Sequence, residues 1–131
     1  MIATPMARLW ARTALIWFLL TMSFGMYLGM TGQFGFSSPH AHMGLLGWLS
    51  SAVFGFFYSV ADADLSLKRG PRIHWISHNL GVVIMVSALF LTLKTGDESF
   101  SKFIATGGGI VILSTLYLTT MIWPRLGSRV A

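Results

Sequence analysis

The stretch "PHAHMGLLGWLSSAVFGFFYSVA", residues 39–61, carries no charge. As a helix rising about 1.5 Å per residue it is long enough to cross a hydrocarbon core of about 30 Å. Histidine is expensive in that medium, so His40 and His42 at the head of the run call for a ligand or a partner. Three other uncharged runs have similar reach: Thr13 to Gly32, Ile73 to Leu93 and Phe103 to Trp123. Of the 131 residues, 54% are hydrophobic and 10% charged, with a mean hydropathy of +0.69. That balance excludes an ordinary soluble domain. The expected fold is an all-α integral membrane four-helix bundle, one domain over residues 1–131, with the lipid bilayer as its first partner.

Arg8 and Arg12 precede the first run, as basic residues do in a secretory signal. The run exceeds a signal's apolar core and no small-x-small cleavage site closes it, so a retained helix is expected. The net charge of +5 does not point to nucleic acid, because the cations sit at helix ends rather than on a basic face. Arg8, Arg12, Lys68, Arg69, Arg72, Arg125 and Arg129 fall on one side. Lys94 and Lys102 fall on the other, with Asp97 and Glu98. The positive-inside rule then puts both termini in the cytoplasm, and the expected location is the bacterial cytoplasmic membrane.

Short connections make successive helices antiparallel neighbours, up-down-up-down. Ser37 or Ser38 can cap the second helix with Pro39 in its first turn, and Pro71 opens the third in the same way. Small residues form stripes: Gly25 and Gly29; Gly47, Ser51, Gly55 and Ser59; and the contiguous Gly107, Gly108 and Gly109. Such stripes serve close helix packing, within or between chains, or let a flat macrocycle approach a backbone.

With about 100° of turn per residue, His40 and His42 stand about 200° apart and cannot chelate one ion from the same regular helix. His40 shares its face with Gly44, Gly47 and Ser51, and His42 shares the opposite one with Leu45, Leu46, Leu49 and Val53. The chain has no cysteine, which removes thiolate ligands, iron–sulfur clusters and thioether-linked haem. Any metal must be held by histidine, methionine or oxygen.

"HAHMGLLGWLSSAVFGFFY" from His40 and "PRIHWISHNLGVVIM" from Pro71 resemble the tenth and eleventh helices of the catalytic subunit of haem-copper oxygen reductases, in the branch of cbb-type oxidases and nitric oxide reductases. The resemblance is closest from Ser38 to Met85, roughly a third of the chain. The chain also resembles small four-helix membrane proteins that carry this segment alone. In the family the His-x-His pair binds two haems. The resemblance therefore implies haem b, with His42 at the low-spin and His40 at the high-spin position, and a second haem or a copper as the further cofactor. The family's copper ligands and second low-spin ligand lie on earlier helices that have no counterpart here, so independent oxygen or nitric oxide reduction is not expected.

His74 and His78, four apart, share a helix face with Gly81, Met85, Ala88 and Thr92. They are candidates to share a ligand or to line a polar seam. The alternatives are an interfacial His74 beside Arg72 and Trp75, and a His78 hydrogen-bonded across helices. Counting rise per residue puts His42 and His78 on the order of 15 Å apart along the membrane normal, in different layers. The opposite axial ligand of a His42 iron comes either from Met26 or Met30, at similar depth, or from His42 of a second copy. The second copy is preferred, because a two-fold axis satisfies the iron without a new residue.

The leading expectation is a b-type haem protein in a homo-oligomer, active in electron transfer or in sensing a diatomic gas, with a respiratory redox partner or quinone. A minimal reductase is disfavoured because the carboxylates Asp62, Asp64, Asp97 and Glu98 all lie in connections. A haem- or copper-handling or accessory subunit of a respiratory complex is the third reading.

Overall fold

The computed structural model describes residues 4–61 and 63–126; Asp62 and Arg129, part of the charge pattern above, lie outside them. Four helical spans are long and apolar enough to cross a membrane. The first, α1 (Pro5–Thr31), starts from Thr4, whose hydroxyl oxygen accepts the Ala7 N–H at 3.2 Å, with Pro5 in the first turn where its missing N–H is not needed. Gly32 ends it in the left-handed conformation at φ 67°, which a side chain would resist.

The second span, Phe34–Val60, is composite. A short 3₁₀ turn leads into α2 (Ser37–His42), the backbone widens to a π-helical segment over Met43–Leu49, and α3 (Ser50–Val60) completes the crossing. The Ser50 hydroxyl donates to the Leu45 carbonyl at 2.9 Å, supporting the widened turn. A 3₁₀ turn, Ala63–Leu67, leads to α4 (Arg69–Thr95), closed by Gly96 at φ 72°. The last span is α5 (Ser101–Leu126).

Helices outrun the apolar runs because lipid, not helix formation, requires the absence of charge. Thus α1 carries Arg8 and Arg12, and α4 starts at Arg69 rather than at Ile73. The spans are joined by named contacts. The Thr4 hydroxyl donates to the Tyr58 carbonyl at 3.0 Å, tying the start of α1 to the end of α3. The Trp17 indole N–H donates to Asn79 Oδ1 at 3.0 Å, and the Trp75 N–H to the Thr13 hydroxyl at 2.9 Å, fastening α1 to α4.

Several glycines of the stripes are packing positions within the chain, whereas Gly29 and Gly109 face open space. A Cβ on Gly47 would meet the Trp17 ring at 2.5 Å, one on Gly55 would meet Trp10 Cβ at 3.3 Å, and one on Gly107 would stand 2.6 Å from the Met85 nitrogen and 2.7 Å from the Gly81 carbonyl. Neighbouring helices therefore fill the faces that Gly47, Gly55 and Gly107 leave open. The main hydrophobic core lies toward the start of α1: Met6, Ala7, Trp10, Phe54, Tyr58 and Leu65, closed by Leu118 and Ile122 of α5.

Candidate functional site

The four histidines divide between two places. At the end of the bundle that carries the Gly32 turn, His40 lies against α1. Its Cε1 would be 2.6 Å from a Cβ on Gly25, so the bare glycine is what admits the ring. Its Nδ1 is buried with no hydrogen-bond partner among the described residues. His40 also lines a groove of about 290 Å³ with Phe18, Thr21, Met22 and Trp48.

His42 is half-buried, and its Nδ1 lies 2.8 Å from the Ser38 carbonyl. A carbonyl only accepts, so in the neutral ring Nδ1 carries the proton and Nε2 keeps a free lone pair. An imidazole whose N–H is held by a carbonyl is oriented in the way that metal-ligating histidines are. Leu45, Leu49 and Val53 on the same face are exposed, as are Met26 and Met30 of α1.

Deeper in the bundle, His74 and His78 are 0% and 1% exposed. Both rings are thus enclosed by the protein itself rather than standing at its surface. His74 Nδ1 is paired with the Tyr58 hydroxyl at 3.0 Å, and His78 Nε2 donates to the Leu46 carbonyl at 2.9 Å. The cross-helix hydrogen bond weighed for His78 is therefore present. The same contact revises the depth count, because Leu46 is one turn past His42, about 6 Å of rise. The two residues nevertheless differ in surroundings, His78 being enclosed in the bundle and His42 half-buried beside the exposed Leu45 and Leu49.

Around the inner pair, Trp10 and Phe54 pack with ring centroids 4.9 and 4.8 Å from His74, and 5.6 and 4.9 Å from His78. The His74 and His78 rings are 6.1 Å apart. His74 Nε2, His78 Nδ1, Trp10 Nε1 and the Ser51 hydroxyl are buried and have no partner among the described residues. Buried atoms of this kind each carry a penalty of about 1–3 kcal/mol unless water or an ion meets them.

Tyr58 and Asn79, as hydrogen-bond partners, and Trp10, as a ring packed on both inner histidines, are the residues the sequence alone does not single out. Tyr58 did share a helical repeat with Ser51 and Phe54, but which face turns inward is set by packing on α1. Among the described residues no three His, Asp or Glu side chains converge as a metal-binding group. Compared with models of known protein families, with curated proteins and with solved structures, the chain finds no match.

Proposed function

We propose that this chain is a b-type haem protein of the bacterial cytoplasmic membrane, its spans alternating in direction and both termini cytoplasmic. In this reading it works as a homo-oligomer in electron transfer or in sensing a diatomic gas. One observation carries the reading: His42 stands half-buried beside the exposed Leu45 and Leu49, with Nδ1–H held by the Ser38 carbonyl at 2.8 Å, which leaves Nε2 free as a ligand. The local resemblance to haem-copper reductases supports the same residue.

The residues fit the group at His42. Ser38 fixes the tautomer and ring orientation, and the exposed Leu45 and Leu49 supply an apolar flank that keeps water from the ligand. When bound, haem would supply a one-electron couple or a site for a diatomic gas. The half-buried His42, on a face where Leu45 and Leu49 are exposed, suits an iron shared with His42 of a second copy; Met26 and Met30, which are exposed, are the other candidate ligands. His40 fits a whole second macrocycle less well, because its groove of about 290 Å³ is at the lower edge of the about 300–1,000 Å³ usual for small-molecule sites.

A quinone-linked role has an observation of its own. An apolar groove of about 640 Å³ between α1, α2 and α4 is lined by Leu20, Phe24, Met43 and Phe90, with Ser23 and Ser87 as its hydroxyls. It suits an isoprenoid chain. The visible spectrum and haem-to-chain ratio of the purified protein test the main reading: one haem for two chains is expected, and a haem-free protein after expression with ample haem overturns it.

A further inference from the structure

At the end of the bundle where α1 and α4 begin, Arg8, Arg12, Ser66 and Arg72 line a polar cleft of about 630 Å³ together with Pro5, Met6 and Leu9. Arg8 and Arg12 are four apart on α1 and so project from one face. Arg72 comes from the first turn of α4, and Ser66 from the 3₁₀ turn just before it. Three guanidiniums thus gather in one concavity, and none has a carboxylate partner among the described residues; Asp64, in the same turn as Ser66, does not line the cleft. Ser66 is 8% exposed and its hydroxyl has no hydrogen-bond partner among the described residues. The opening turn of α4 adds backbone N–H groups with no partner inside the helix and the positive end of its dipole.

Positive charge at a helix end is ordinary topology when each cation reaches separately into water. Here three cations and a buried hydroxyl from three segments share one cavity, which is the donor set of a phosphate site: planar forks for paired oxygens and a hydroxyl for a further one. We infer that this cleft binds a phosphate group, and that its source is the headgroup of an anionic phospholipid of the leaflet facing the chain's basic end. Basic pockets between spans on that side recognise such headgroups, and Met6 and Leu9 in the same lining offer apolar surface to the start of an acyl chain. The site is independent of haem.

The test uses the full chain in mild detergent, titrated with phosphatidylglycerol, phosphatidylcholine or inorganic phosphate and read by native mass spectrometry and unfolding temperature. Phosphatidylglycerol is expected to bind at least about tenfold more tightly than phosphatidylcholine and to raise the unfolding temperature. Arg72→Gln should weaken it roughly fivefold, and the Arg8→Gln, Arg12→Gln, Arg72→Gln triple variant should bring it to the phosphatidylcholine level. Ser66→Ala, which leaves every charge in place, should weaken it by a smaller factor of about 3. Lys68→Gln with Arg69→Gln removes two cations outside the cleft lining and should leave binding unchanged. Equal losses in this control and in the cleft variants would reduce the effect to net charge and overturn the site. Saturation by inorganic phosphate, with no gain from acyl chains, would overturn the lipid assignment in favour of free phosphate.

Discussion

His78 Nε2 donates a hydrogen bond to the Leu46 carbonyl at 2.9 Å, across two spans and into the π-helical segment Met43–Leu49. The widened backbone and the buried imidazole are therefore one feature: the segment presents a carbonyl sideways and α4 brings the donor. π-Helical insertions often accompany functional sites, and here the insertion lies between the half-buried His42 and the core around Tyr58.

His78→Ala removes that donor and opens a cavity beneath Trp10 and Phe54. The expected loss is about 1–3 kcal/mol of unfolding free energy in detergent, part from the cross-helix bond and part from packing. His78→Gln, which retains an N–H donor, should recover a portion. Equilibrium unfolding of the variants checks this, and an alanine variant as stable as wild type would remove the role assigned to the bond.

The glycine positions separate tight contact from open surface. Gly107→Ala sets a Cβ against the α4 backbone, 2.6 Å from the Met85 nitrogen, where nothing flexible can yield. A loss of about 1–3 kcal/mol is expected from overpacking. Gly109→Ala has no atom within 4 Å and should be neutral or slightly stabilising. Comparable losses at both positions would contradict the packing of α4 on α5.

Gly25→Ala should act through His40. Its Cβ would fall 2.6 Å from the imidazole Cε1, so the ring must turn away from α1 or the two helices must part. Pairing Gly25→Ala with His40→Ala should restore most of the stability lost in the first variant, a coupling readable in a double-mutant cycle. Strictly additive losses would place the ring elsewhere.

Topology has its own measurement. An exported-only enzymatic reporter fused after Leu126 should be inactive and one fused at Glu98 active, because most of the cations gather at the ends near Arg8, Arg72 and Arg125. The reverse pattern would invert the bundle and move the arginine cleft to the other leaflet.

The four spans were legible because charge and length alone delimit a membrane crossing, and Lys94, Asp97, Lys68 and Arg72 interrupt the apolar runs where the connections fall. The helix ends were less legible: Arg8 and Arg69 are as helical as the apolar residues after them, and nothing in lipid energetics marks where a helix begins in water. The π-helical segment left no signal, since Gly44 and Gly47 read equally well as an α-helical packing stripe, and they do pack on Thr21 and Trp17. The inner histidine pair was visible as a shared face. Its burial was not, because it depends on partners such as Tyr58 and Trp10 that lie on other spans.

The central claim is the ligand at His42, and the most direct measurement is haem content with reduced-state absorbance of wild type, His42→Ala and His78→Ala purified side by side. The account predicts a b-type low-spin spectrum and one haem for two chains in wild type, loss of that haem in His42→Ala with the helical fold kept, and its retention in His78→Ala. Full haem in His42→Ala together with loss in His78→Ala would contradict it and move the iron to the inner pair.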